Sequence, residues 1–115
     1  MRGIGGNLQA EIQIRTGNSK NAIGERVPTW ETVQTLTGWL DMLSGEAKRS
    51  TYNAKIEEST HIFISDFVPL DERITAENSR AVIRGKVYDI TFIDNPMELD
   101  YQLEIFLKYS GGKNG

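Results

Sequence analysis

The sequence predicts an all-β fold: a small closed or partly open antiparallel β-barrel of about six strands with one long inter-strand loop. Three stretches carry that expectation. Residues 99–109 place Leu99, Tyr101, Leu103, Ile105, Leu107 and Tyr109 on one face and Asp100, Gln102, Glu104 and Lys108 on the other, with Phe106 alone breaking the polar side. A period of two marks a strand with one face in a core and one in water. Residues 8–15 repeat it, setting Leu8, Ala10, Ile12 and Ile14 against Gln9, Glu11, Gln13 and Arg15. Residues 87–94 (VYDITFID) are rich in the branched and aromatic side chains that suit a pleated surface. They follow Val82 and Ile83 across Arg84-Gly85-Lys86, a turn whose glycine takes positive φ without penalty. Three successive antiparallel strands make a meander, which closes on further strands to cover its apolar face.

In chain order, residues 1–7 are glycine-rich and expected to fray. After the strand over 8–15, residues 16–28 (TGNSKNAIGERVP) read as turn chemistry closed by a proline. A second strand over 30–41 is anchored by Trp30, Val33, Leu36 and Trp39. Its phase is less regular, and Gly38 predicts a bulge or a close backbone approach. Residues 42–53 (MLSGEAKRSTYN) sustain neither period, and so long a connector is functional or disordered in most small domains. Residues 54–65 read as a long strand anchored by Ile56, Ile62 and Ile64, and residues 67–78 as a connector with at most one helical turn. Asn95-Pro96 ends the strand before it, because proline has no amide hydrogen for the ladder. Residues 110–115 are a polar tail. The 115 residues form one domain on this reading, long enough to bury a core without staples.

Composition narrows the function. There is no cysteine, hence no disulfide framework and no thiolate metal site. The first ten residues hold no apolar run of signal-peptide or membrane-span length, so a product made in the cytoplasm is expected, with no membrane partner. The formal charge of -3 lacks the basic excess with which proteins grip nucleic acid. His61 is the single histidine, and triad or zinc chemistry needs partners the chain does not supply. It reads as a polar strand residue at a surface or interface. Asp71, Glu72, Glu77, Asp89 and Asp94 match neither an EF-hand loop nor a glycosidase pair and read as solvated surface. Gly3 to Gly6 precede a strand and lack the lysine of a phosphate loop. Trp30, Trp39, Tyr52, Phe63 and Tyr88 sit among Glu, Thr and Asp, which favours core packing over base stacking. No enzyme and no cofactor is expected.

Several motifs in fixed order resemble a known family. They are TGNSKNAIGERVPTWETV (16–33), Trp39 with Ser44-Gly45-Glu46, Glu58-Ser59-Thr60-His61 with Phe63 and Ile64, Arg73-Ile74, and Gly85-Lys86-Val87-Tyr88-Asp89-Ile90. Together they are similar to the head–tail joining, or head-closure "stopper", proteins of tailed bacteriophages, over about residues 8–109. Asn21 stands where that pattern favours aspartate, and Ser65 where an arginine often follows the Phe-x-Ile run. The resemblance implies a structural protein of the virion neck that forms a ring, dodecameric on the particle, beneath the portal and its adaptor. The ring closes the DNA channel after packaging, lets packaged double-stranded DNA pass without tight binding, and offers a docking surface to the tail-completion protein. It further implies a channel plug from Met42, Leu43, Ser44, Gly45, Glu46, Ala47, Lys48, Arg49, Ser50, Thr51 and Tyr52. For inter-subunit or partner contacts the candidates are Arg15, Lys20, Glu25, Arg26, His61 and Arg73. A tail-completion or tail-terminator ring of the same fold, and a small oligonucleotide- or peptide-binding barrel, are the alternatives.

Overall fold

One 17-residue strand, β2 (Arg26–Met42), runs most of the length of a molecule measuring 51 × 28 × 23 Å. The computed structural model describes residues 8–43 and 54–113. Around β2 the chain adds β1 (Leu8–Lys20), a four-residue helix α1 (Ala54–Glu57), β3 (His61–Asp66), β4 (Ser79–Ile83), β5 (Lys86–Asp94) and β6 (Gln102–Lys113). Short 3-10 turns, Ala76–Asn78 and Pro96–Glu98, precede β4 and β6. All pairings are antiparallel, and the order β1-β2-β3-β6-β5-β4 returns to β1, so the sheet closes into the expected six-stranded barrel.

Alternation fills the interior. Ala10, Ile12 and Ile14 of β1 meet Leu36, Phe63, Ala81, Ile83, Tyr88, Ile90, Ile105 and Leu107 from the other five strands in one cluster. Each large aliphatic side chain so buried contributes about 1.5–3 kcal/mol. Ile74 enters the same cluster from the connector between β3 and β4, with Leu70 and Ala76 packed against it. A polar side chain of β2 also clamps that connector. Gln34 donates to the Pro69 carbonyl (3.0 Å) and accepts from the Asp71 amide (2.8 Å).

Four local expectations are corrected. Residues 16–28 are not all turn: β1 continues to Lys20 and β2 begins at Arg26, with pairs from Gly17↔Thr29 to Lys20↔Arg26. Backbone ladder bonds form there without apolar alternation, because this ribbon has no core to face. Only residues 21–25 turn, and Asn21 organises them. Its Oδ1 accepts from the Ile23 amide (3.1 Å) and the Glu25 amide (2.9 Å), while its Nδ2 donates to the Glu25 carboxylate (3.2 Å). An aspartate could not make the third bond.

The uneven phase of β2 has a bulge as its cause. Ile12 faces Gln34 and Gln13 faces Thr32, leaving Val33 as the extra residue. Downstream the inward positions become Leu36 and Gly38, so Trp39 stands exposed rather than in the core, and Trp30 is half-buried. Gly38 itself is the close approach. A Cβ there would collide with the Ile64 carbonyl across the ladder.

Residues 54–65 are not one strand. Ala54, Lys55 and Glu57 are good helix formers, and α1 is closed by Ser59, whose hydroxyl donates to the Lys55 carbonyl (2.7 Å) and bonds the Thr91 hydroxyl of β5. The strand starts only at His61, and its phase is the reverse of the expected one. Phe63 and Ser65 are buried, while Ile62 and Ile64 are half-buried on the other face. An arginine at 65 would bury its guanidinium beside Gly38, the residue Ser65 pairs with.

Finally, β6 begins at Gln102, so the alternation at Leu99 and Tyr101 overruns the strand. Both side chains are exposed. Residues 95–101 form a separate turn braced by Asn95, which the alternating pattern concealed.

Candidate functional site

Two ends of the barrel present chemistry, and β2 joins them. At one end β2 finishes at Met42, paired with His61, and the Leu43 amide donates to the Thr60 carbonyl (3.0 Å) before the chain enters 44–53. Of the expected plug residues, Met42 is therefore the exposed last residue of β2, and Leu43 is pinned beside it. Ser44 to Tyr52 lie outside the described residues. His61 stands at this mouth with its ring against Tyr88 (centroids 5.2 Å apart), and Tyr88 is tilted against Tyr109 (5.3 Å). Its Nδ1 shares a 2.8 Å hydrogen bond with the Thr60 hydroxyl. Burial pushes the imidazole below its ordinary value of 6.5, and Lys86 adds to the shift, so His61 is neutral at pH 7.

The other end carries three features. The first is the β1–β2 ribbon. β4 accompanies β1 only as far as Ile14, and β3 joins β2 only from Gly38, so the ribbon beyond is two strands wide. Arg15, Lys20, Glu25 and Arg26 are all on it and all exposed. Arg15 reaches Asn18 (3.1 Å), Glu25 is held by Asn21, and Ile23 at the tip is 79% exposed. At the ribbon base Trp30 carries the Arg80 guanidinium 4.4 Å over its ring, and Arg80 Nε donates to Gln13 (2.8 Å).

The second feature is the connector, where Arg73 forks onto Asp71 through Nε (3.0 Å) and Nη2 (2.8 Å) and approaches Glu31 at 3.9 Å. This pair holds the Asp71 carboxyl down at about 2. Arg73 is thus engaged within its own chain.

The third is the turn over 95–101. Asn95 Nδ2 donates to the Asp100 carboxylate (2.8 Å) and the Asp100 amide returns a bond to Asn95 Oδ1 (3.1 Å). The Phe67 amide bonds the Tyr101 carbonyl (3.2 Å). Between these braces Met97, Glu98 and Asp100 adopt φ of 56°, 54° and 54°. For a residue other than glycine that conformation costs about 1–2 kcal/mol. It turns Met97 (85% exposed), Leu99 (67%) and Tyr101 (66%) into solvent.

The structure brings four of the six contact candidates together on the ribbon, sets Arg73 near its base and places His61 at the opposite mouth. Sequence reasoning missed Met97, Leu99 and Tyr101, and it missed Arg80. The signal for the turn was Pro96 itself, after which a strand cannot simply resume. The described residues contain no cluster of three or more metal-ligating side chains, and none of their helices is long and apolar enough to cross a membrane.

Comparison with known proteins agrees with this architecture. The chain is similar in fold to the solution structure of protein SF1141 from Shigella flexneri 2a, with a TM-score of 0.65 and 22% identity over 98% of this chain and 100% of that one. No curated protein matches. A family model for phage head completion proteins matches residues 5–109, nearly the whole sequence. That match assigns the chain's role: it belongs to the phage head completion protein family, structural proteins that associate with other head and tail components in the virion.

Proposed function

We propose that the chain works in the virion neck as one subunit of a ring, dodecameric on the particle, below the portal and adaptor. The ring closes the DNA channel after packaging through residues 42–52 and offers its other surface to the tail. The observation that carries this reading is the layout of β2, which has the 44–53 connector at one end and the exposed, charged ribbon at the other. A subunit whose connector faces an axis can then meet neighbours or partners through the opposite end. A ring also multiplies a weak contact between connectors by the number of subunits. The formal charge of -3 suits a channel through which DNA slides without sticking. The same geometry serves a tail-completion ring, and docking onto portal–adaptor particles as against tail tubes separates the two.

Deletion of residues 45–50 tests the assignment. The barrel is expected to fold with an unchanged melting transition, while heads filled in the presence of the variant lose DNA. Loss of the fold would make the connector structural, and fully retained DNA would remove the plug.

A further inference from the structure

The ribbon and the 95–101 turn differ in a way that the ring alone does not explain. Residues 94–104 carry four acidic side chains (Asp94, Glu98, Asp100, Glu104) and no basic one. In sequence they flank and interleave with Met97, Leu99 and Tyr101, which are exposed. Residues 15–30 carry three basic side chains (Arg15, Lys20, Arg26) against one acidic, in a protein whose net charge is negative. They flank a single exposed apolar tip, Ile23. Each surface thus offers what the other needs: a basic ribbon ending in an aliphatic side chain, and an apolar patch with an acidic rim. Both are braced before any partner arrives, the tip by Asn21 and the patch by the Asn95–Asp100 bonds. Preorganisation of this kind lowers the ordering cost of association. Within one chain neither covers the other, since Ile23 is 79% and Met97 85% exposed.

We infer that the ribbon tip of one copy docks on the 95–101 turn of the next copy, with Ile23 on the Met97–Leu99–Tyr101 patch and Lys20 and Arg26 against its acidic rim. The contact joins two different surfaces, so it is head-to-tail, the type that propagates and closes into a ring when the rotation between copies allows. Complementary charge sets the register and disfavours ribbon-to-ribbon and turn-to-turn pairing. The inference rests on the ring reading above and specifies the contact that builds it.

The chain has no cysteine, which makes site-specific oxidation a clean test. Full-length Ile23→Cys, Met97→Cys and the double variant are assembled on portal-bearing heads and oxidised, with an amine-reactive cross-linker applied in parallel. The expected result is a ladder of disulfide-linked multimers from the double variant and no ladder from either single one. Adding Lys20→Glu and Arg26→Glu should reduce the ladder several-fold, and Glu98→Lys in the same chain should restore part of it. If the amine cross-linker yields multimers and the double variant does not, this contact is wrong while the ring stands. If neither reagent yields multimers, the ring fails as well. Disulfide dimers from Met97→Cys alone would show the patch pairing with itself, and disulfides to a head or tail protein would assign it to a different partner. Either result overturns the inference.

Discussion

Gly38 shows how one missing side chain permits the closure of β2 onto β3. The ladder brings the Ile64 carbonyl to the place where a Cβ would stand, with the Phe63 ring also near. Gly38→Ala is therefore expected to destabilise the protein by about 1–3 kcal/mol, the usual range for overpacking, as a lower urea midpoint with an unchanged slope. His61 makes a second residue-scale prediction. Its folded-state value is depressed, chiefly by burial, so below its ordinary 6.5 the unfolded chain takes up a proton that the folded one refuses. The stability linked to His61 is complete above pH 6.5 and is lost as pH falls toward the lower folded value. His61→Gln should flatten the stability curve as pH falls below 6.5, and an unaltered acid slope in the variant would contradict the assignment. Asp71 behaves in the same sense over a lower window. Held at about 2 by Arg73, it favours the folded state above its ordinary 3.8 and ceases to do so as pH falls from there toward 2.

At the scale of elements, the connector between β3 and β4 owes its position to Gln34, whose amide satisfies one carbonyl and one N–H at once. Gln34→Ala should speed amide exchange of residues 70–74 markedly and leave β4, β5 and β6 protected. Uniform acceleration would mean that the clamp is a global stabiliser. The same scale shows what was legible in the sequence. Strands that carry core side chains announced themselves: β1 buries Ala10, Ile12 and Ile14, β5 buries Val87, Tyr88 and Ile90, and β6 buries Leu103, Ile105 and Leu107, although Gln13 and Phe106, expected on the wet faces, are buried too. Elements whose logic is not amphipathic did not. The ribbon has no dry face, and its residues resemble a loop because ladder bonds and polar side chains hold it, Thr16 and Thr29 among them (hydroxyls 3.1 Å apart). The bulge at Val33 shifts the phase of β2 by one residue, and beyond it plain alternation with Leu36 and Gly38 leaves Trp39 exposed. The helix α1 is four residues long, too short for a helical period to register, and its anchor is a pair of hydroxyls, Ser59 and Thr91. The 95–101 patch was hidden by accidental agreement between its spacing and the strand that follows. Arg15, Lys20, Glu25 and Arg26 lie together because a stretch of charged residues that is linear in sequence became a linear ribbon. Met97, Leu99 and Tyr101 became a surface only through positive φ angles that alternation does not encode.

For the whole molecule, charge separates a neck component from a nucleic-acid binder. A barrel that grips DNA concentrates cations along a groove and loses affinity steeply with salt. Here the basic residues of the ribbon flank an aliphatic tip, and the aromatic cluster of the barrel mouth is His61, Tyr88 and Tyr109. Titration with duplex or single-stranded DNA should give weak binding at 50 mM salt, gone by about 200 mM, where a phosphate-gripping protein would still bind measurably. Tight binding with a steep salt slope would favour the oligonucleotide-binding alternative.

The length of β2 has a mechanical consequence. An extended strand has little slack, so tension on the hairpin at Ile23 is carried along the 17 residues of β2 toward Leu43, with the Val33 bulge the one irregularity on the way. Sliding is quantised as well: the smallest slip that keeps the same side chains facing inward is two residues, about 6.6 Å.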